Sequence, residues 1–285
     1  MTRRVLRSCG LPMAALSLLL GWAATAESGT GMGFAVSPSN FRLTKKAGEA
    51  ASAKIRVYNK GSYPVSVSTE VTDMVTLKGA DGFTVRDEAP VGTTPHSCAK
   101  WIQLAQQEET VIAAGESATL EFVVSPPPEI QAGGYGAYLF FIGKPVHTDT
   151  SEKSDKPEVR VITIPRLGVS VIYEVEGTLR RSGDLVSLDL TPPTATQPLK
   201  IRHGFKNTGN AEVVLAGSFH VLDPVGLLVG KGALRTVKTF PGETGLTEST
   251  WNATLPKGHY TALITFELGP DAETAVVKDL EFDVR

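Results

Sequence analysis

Cysteine is scarce: Cys9 and Cys98 are the only two in 285 residues. Cys9 lies in an N-terminal leader described below, so the mature chain keeps Cys98 alone. No internal disulfide can then form, even in an oxidising compartment, and the fold must rest on its own apolar cores. Cys98 is either a small buried hydrophobe or the donor of an intermolecular disulfide. The five histidines, His96, His147, His203, His220 and His259, are scattered. They form neither an HExxH motif nor an i,i+4 pair, so no metal site is expected. A GxSxG nucleophile elbow is missing as well. The run Gly226-Leu227-Leu228-Val229-Gly230-Lys231-Gly232 fails as a phosphate loop. Three residues separate its first two glycines where four are needed, and no Ser or Thr follows the lysine. It is expected to be a hairpin turn. Gly29 to Gly33 fits a flexible N-terminus better than a cofactor loop, and no pair of carboxylates stands out. The expectation is a chain that is not an enzyme and binds no cofactor. It has no block of basic residues, which excludes electrostatic recruitment to nucleic acid or to an anionic membrane surface.

The first 26 residues have the form of a cleavable signal peptide. Arg3, Arg4 and Arg7 precede an apolar run from Leu11 to Ala24, and Ala24-Thr25-Ala26 is a small-x-small cleavage site. The run is shorter than a membrane span of roughly 20 residues, and no later segment is apolar enough to be one. Cleavage before Glu27 removes three of the 28 basic residues and none of the 30 acidic ones, leaving 259 residues of net charge −5. The expected location is the periplasm or the cell surface. The mature length suits two domains.

Period-two alternation recurs along the mature chain. Ala53, Ile55 and Val57 alternate with Lys54 and Arg56; Val65, Val67, Thr69 and Val71 with polar neighbours; Ala118, Leu120, Phe122 and Val124 with Thr119, Glu121 and Val123. Such strands bury one face and wet the other. Turn residues separate them at Asn59-Lys60-Gly61, Gly79 to Gly82, Ala114-Gly115-Glu116 and Gly133-Gly134. No sustained helical period appears. The predicted fold is all-β, with two consecutive immunoglobulin-like sandwiches.

The second half echoes the first. Lys54 to Gly61 is matched by Lys200 to Gly209, Ala114-Gly115-Glu116 by Pro241-Gly242-Glu243, and Gly134 to Tyr138 by Gly258 to Ala262, all in the same order. These read as strand B, the turn before strand E, and strand F of two related domains. The expected domains are 27–176 and 177–285, with Val175-Glu176-Gly177 as the hinge. The polar stretch His147 to Pro157 is expected to be a mobile loop inside the first domain. The long strand G that follows places Val159, Val161, Leu167, Val169, Val171 and Tyr173 on one face, interrupted by Pro165. Proline cannot donate to a ladder, so an edge or a bulge is expected there. Phe140-Phe141-Ile142 is expected at a sandwich centre. Trp101 and Trp251 are expected in cores, with a binding role for Trp101 as the alternative.

Several of these residues carry a family resemblance. Ala35-Val36-Ser37-Pro38-Ser39-Asn40-Phe41-Arg42-Leu43, the turn at Asn59, the turn at Gly115, the Phe-rich strand F and a polar loop before a long strand G resemble periplasmic pilus-assembly chaperones. The resemblance covers most of Phe34 to Val175. It implies strand addition, in which alternate apolar side chains of strand G complete a pilin-like subunit. Val159, Val161, Leu167, Val169 and Val171 would be those side chains. The family's arginine on the first strand, which captures a subunit's terminal carboxylate, falls on Arg42, a role suited to paired guanidinium hydrogen bonds. The alternative is a solvated strand residue. The family's partner base falls on Ser170, a departure that leaves Arg166, on the same face, as the substitute. A second resemblance is to WxL-interacting surface proteins of Gram-positive bacteria. It rests on Gly133-Gly134-Tyr135 after Ser125-Pro126-Pro127-Pro128, on Asn207 to Asn210, and on the run from Trp251 to Tyr260. It implies a surface scaffold that binds wall polymer or adhesins. Those proteins carry a membrane anchor, whereas this sequence ends at Arg285 after a strand-like run.

Overall fold

The computed structural model describes residues 33–105, 109–146, 163–252, 254–269 and 275–285. The leader, the polar stretch His147 to Pro157, and Val159 and Val161 lie outside the described residues. Strands dominate, and the one helical element among the described residues is a single 3-10 turn at Ala99–Trp101. The first ten strands are β1 (Phe34–Ser37), β2 (Asn40–Lys45), β3 (Ala51–Asn59), β4 (Val65–Lys78), β5 (Thr84–Ala89), β6 (Ile102–Leu104), β7 (Thr110–Ile112), β8 (Ser117–Val124), β9 (Gly134–Pro145) and β10 (Arg166–Val175). Seven more follow: β11 (Gly183–Thr191), β12 (Leu199–Asn207), β13 (Val213–Leu222), β14 (Leu228–Thr239), β15 (Thr244–Trp251), β16 (Gly258–Glu267) and β17 (Ala275–Val284).

Two sandwiches result. In the first, the sheet β1-β3-β8-β6 faces the sheet β2-β10-β9-β4-β5, with β7 also paired to β4. The N-terminal strand serves both sheets. β1 runs antiparallel to β3, and β2 runs parallel to β10 from Asn40↔Ser170 to Lys45↔Val175. In the second, β11-β12-β15 faces β14-β13-β16-β17. The predicted alternations fill the cores. Ile55 and Val57 from β3, Leu120, Phe122 and Val124 from β8, and Leu139 and Phe141 from β9 join one buried cluster. Leu199, Ile201 and Phe205 meet Phe219, Ile264 and Phe266 in the other.

Two strands depart from simple alternation. In β4, four successive residues, Thr72, Asp73, Met74 and Val75, are buried. The strand passes under the second sandwich there, so both of its faces are covered. Met74 packs with Ile172 and Phe240. The Asp73 carboxylate accepts N–H bonds from Gly92 and Thr94, both at 2.9 Å. In β9, Phe141 alone of the aromatic pair is core. Phe140 turns outward, and the Arg166 guanidinium lies 3.5 Å from its ring centroid. Pro165 is not inside a strand: β10 starts one residue later, and the Pro165 carbonyl accepts the Gly143 N–H at 3.0 Å.

The sandwiches meet tightly. Gly133 has φ +130°, and a side chain there would overlap the Asn210 carbonyl. Gly134 donates to that same carbonyl at 2.8 Å. A Cβ at Gly136 would overlap the Phe240 ring. From the other side, the β4–β5 hairpin reaches across, and Thr84 Oγ1 accepts the Leu246 N–H at 2.8 Å. Residues from Gly31 to Arg285 form one compact unit.

Candidate partner-binding edge and the Arg42 network

The register of β9 against β10 fixes which backbone groups of β10 are used. The bond from Gly143 to Pro165 makes odd-numbered residues the ones bonded to β9, since hydrogen-bonded pairs alternate along an antiparallel ladder. Even-numbered residues therefore direct N–H and C=O the other way. At Ser170 that side is taken by β2, with Ser170 N–H donating to the Ser39 carbonyl at 3.1 Å. Among the described residues no strand pairs with Arg166 to Val169 on that side. The first half of β10 is thus an open edge on which Arg166 and Gly168 offer their main-chain groups. Ile164, just ahead of it, is 52% exposed.

The side chains on this strand divide. Val169 and Val171 are wholly buried in the first core, opposite Leu139 and Ala137. They are not exposed, as the strand G reading required, because the facing sheet covers them. Leu167 is half-buried. Arg166 holds Glu70 at 2.9 Å and Glu88 at 2.7 Å while stacked on Phe140. Its hydrogen bond holds the Glu88 carboxyl below the usual carboxylate range, and the Arg166 pKa is raised in return, chiefly by the same bond.

Arg42 lies elsewhere. It pairs with Ile172 on β10, six residues from Arg166, which is about 20 Å along a strand. Arg166 therefore cannot stand beside Arg42 in place of the missing base. Arg42 is also already engaged: its guanidinium bonds to Glu174, and to Glu212 of the second sandwich at 2.8 Å. Glu174 takes Arg181 as well, at 2.5 Å. Arg86 lies 3.6 Å from Glu212 and 3.3 Å from Glu243, with its guanidinium 4.6 Å from the Phe240 ring centroid. The carboxylates of Glu174 and Glu212 are 3% and 7% exposed, so they are committed to this network, whereas Arg42 keeps 41% of its side chain open. Glu174, Arg181, Glu212, Arg86 and Glu243 were not singled out from the sequence. They come from five separate segments, and no local pattern marks them.

Cys98 is fully buried, its thiol 3.6 Å from the Val171 carbonyl, and burial pushes its pKa up to about 12. Trp101 is half-buried, against Tyr135 and Tyr173. The described residues contain no group of three or more potential metal ligands, and no helix long and apolar enough to cross a membrane.

No protein-family profile matches the chain, and no curated protein does. Among solved structures the chain is similar to one from the CsuC–CsuE chaperone–tip adhesion subunit pre-assembly complex of archaic chaperone-usher Csu pili of Acinetobacter baumannii. That match has 13% identity over 88% of this chain and 98% of that one, with a TM-score of 0.45. It is also similar to the YadV chaperone (11%, 88% and 100%, TM-score 0.44) and to the E. coli chaperone DraB (11%, 89% and 97%, TM-score 0.42).

Proposed function

We propose that the protein is an exported, non-catalytic binding module of the periplasm that captures an incomplete β-sheet subunit by strand addition, as an assembly chaperone for pili or related surface structures. The observation that carries this reading is the open half of β10. An exposed strand edge is a template for another chain's strand, and backbone bonding there supplies affinity while alternate side chains supply selectivity. Arg166 and Gly168 would provide the main-chain bonds, with Leu167 as the nearest apolar side chain. Arg42 in this reading ties the two sandwiches together. An incoming carboxylate would have to compete with Glu174 and Glu212 for it, and its exposed flank is where that competition would take place.

The test is a photo-crosslinking residue at Ile164 in cells that export the protein. Arg166→Pro removes one outward N–H from the edge, and Arg166→Ala keeps it. Crosslinking to a pilin-like subunit that survives Arg166→Ala and is lost in Arg166→Pro is the expected result. Equal crosslinking in both variants would overturn strand addition at this edge.

A further inference from the structure

We propose that Phe140, one strand in from the open edge of β10, is a specificity-determining contact for the captured strand, and that it selects a bulky apolar side chain at one outward-facing position. This deepens the strand-addition reading and rests on it.

Gly168 of β10 and Phe140 of β9 stand directly opposite each other. Their pair exchanges no hydrogen bonds, the kind of pair in which side chains come closest. Glycine puts no side chain there, and the aromatic ring fills the place. A Cβ on Gly168 would lie 2.7 Å from Cε1 of Phe140 and 3.2 Å from its Cδ1 and Cζ. The ring therefore reaches over β10 to the rim of the sheet. Gly168 itself is exposed, and glycine inside a strand often marks a close approach by another backbone.

A strand added along Arg166 to Gly168 has one residue directly beside Gly168. Whichever way that strand runs, the side chain of this residue points to the outward face, where a side chain of Gly168 would point. Cross-strand Cβ atoms stand about 5 Å apart, and ring carbons of Phe140 take the place of the nearer one. The client's side chain thus meets an aromatic edge. The next client residue, beside Leu167, faces inward, where Leu167 is half-buried. The captured segment is therefore expected to carry two successive apolar residues where a half-wet strand would alternate.

The charges nearby favour an apolar side chain. Arg166 stacks on the ring, 3.5 Å from its centroid. Its Nε, Nη1 and Nη2 make four bonds of 2.7 to 3.2 Å to Glu70 and Glu88, so the cation and both carboxylates are committed to each other. The strands that carry those carboxylates, β4 and β5, lie three and four strand spacings from an added strand, about 14 and 19 Å. Lys144, exposed on β9, stands four residues from Phe140, about 13 Å along the strand. A client lysine or carboxylate beside Gly168 would lose water and gain no partner. An aliphatic or aromatic side chain gains contact with the ring.

The experiment places the photo-crosslinking residue p-benzoylphenylalanine at Phe140 or at Ile164, in cells that export the protein. An adduct from Ile164 reports strand capture, and one from Phe140 reports the ring contact. The same subunit is expected from both positions. Peptide mapping should put the Phe140 adduct on an aliphatic or aromatic residue with an apolar neighbour, in the segment reached from Ile164. Phe140→Ser should lower crosslinking at Ile164 about three- to tenfold, and Phe140→Leu should keep most of it. The Phe140 adduct reads the contact with an aromatic ring in place, so it decides the matter even where Phe140→Ser lowers the melting temperature. A ring that only shields Gly168 within this chain would touch no client. Adducts from Ile164 with none from Phe140, or a Phe140 adduct on a charged residue, overturn the role of Phe140 and leave strand addition intact. No adduct from either position ends both.

Discussion

Asn59 and Asn207 hold the same position in the two sandwiches and make the same bonds. Each is fully buried at the end of strand B. Asn59 Nδ2 donates to the carbonyls of Tyr63, Ile112 and Ala113, and Asn207 Nδ2 to those of Ala211 and Thr239. Each Oδ1 accepts the N–H two residues on, from Gly61 and Gly209. Each backbone N–H reaches the turn before strand E, at Glu116 and Glu243. Replacing either by Ala leaves buried carbonyls without donors and should cost about 2–3 kcal/mol in denaturant melts. Asp should not rescue, because it restores the acceptor and not the donor.

Glu212→Gln should loosen the two sandwiches. It removes a buried charge that faces both Arg42 and Arg86. Arg42 is part-exposed and keeps Glu174, so the loss should be smaller than for an isolated buried pair, about 1–3 kcal/mol. A double-mutant cycle with Arg42→Ala should return a coupling of about 1 kcal/mol, and small-angle scattering should show a wider spread of shapes.

The second sandwich should weaken in mild acid. His203 is buried beside Phe266, and burial pushes its pKa down to about 4 from the ordinary 6.5. The unfolded chain therefore binds a proton that the folded chain refuses between those values. Stability is full above pH 6.5 and falls as pH drops toward 4, by on the order of 3 kcal/mol for this group. His96, lowered mainly by desolvation, acts in the same direction. Urea melts at pH 7, 6 and 5 check this, and His203→Phe should flatten the slope.

Cys98 should resist labelling. With no exposed surface and a thiol pushed up to about 12, it offers almost no thiolate at neutral pH. Iodoacetamide should modify it stoichiometrically in guanidinium and barely at all in buffer. Rapid labelling of the native protein, or a disulfide-linked dimer on a non-reducing gel, would contradict this placement.

The fold was legible because alternation is a local property. Ile55, Val57, Phe122 and Phe141 declare their inward face within a few residues, and the echo of Asn59 in Asn207 marks a bond pattern that both sandwiches need. The junction was not legible. Met74 falls on the outward face of its strand and becomes buried because Phe240 of the second sandwich packs on it. Phe140 reads as core and becomes a platform for Arg166. The partners of Arg42, namely Glu174 and Glu212, are 132 and 170 residues away, and a carboxylate in a strand pattern gives no sign of which distant cation it will meet. Val169 and Val171 read as client-facing and are instead buried, because the apolar alternation that would suit a client equally suits a core.

The contact of Phe240 with Gly136 has a consequence in time. A chain made, or passed through a membrane, from its N-terminus presents Gly136 about a hundred residues before Phe240. The first sandwich can close its core in that interval, yet its bare glycine, Met74 and Ile172 stay wet until Phe240 arrives. The earlier half thus waits, folded but unfinished on one side, and an interruption between residues 136 and 240 would leave an apolar scar for quality-control proteases to find.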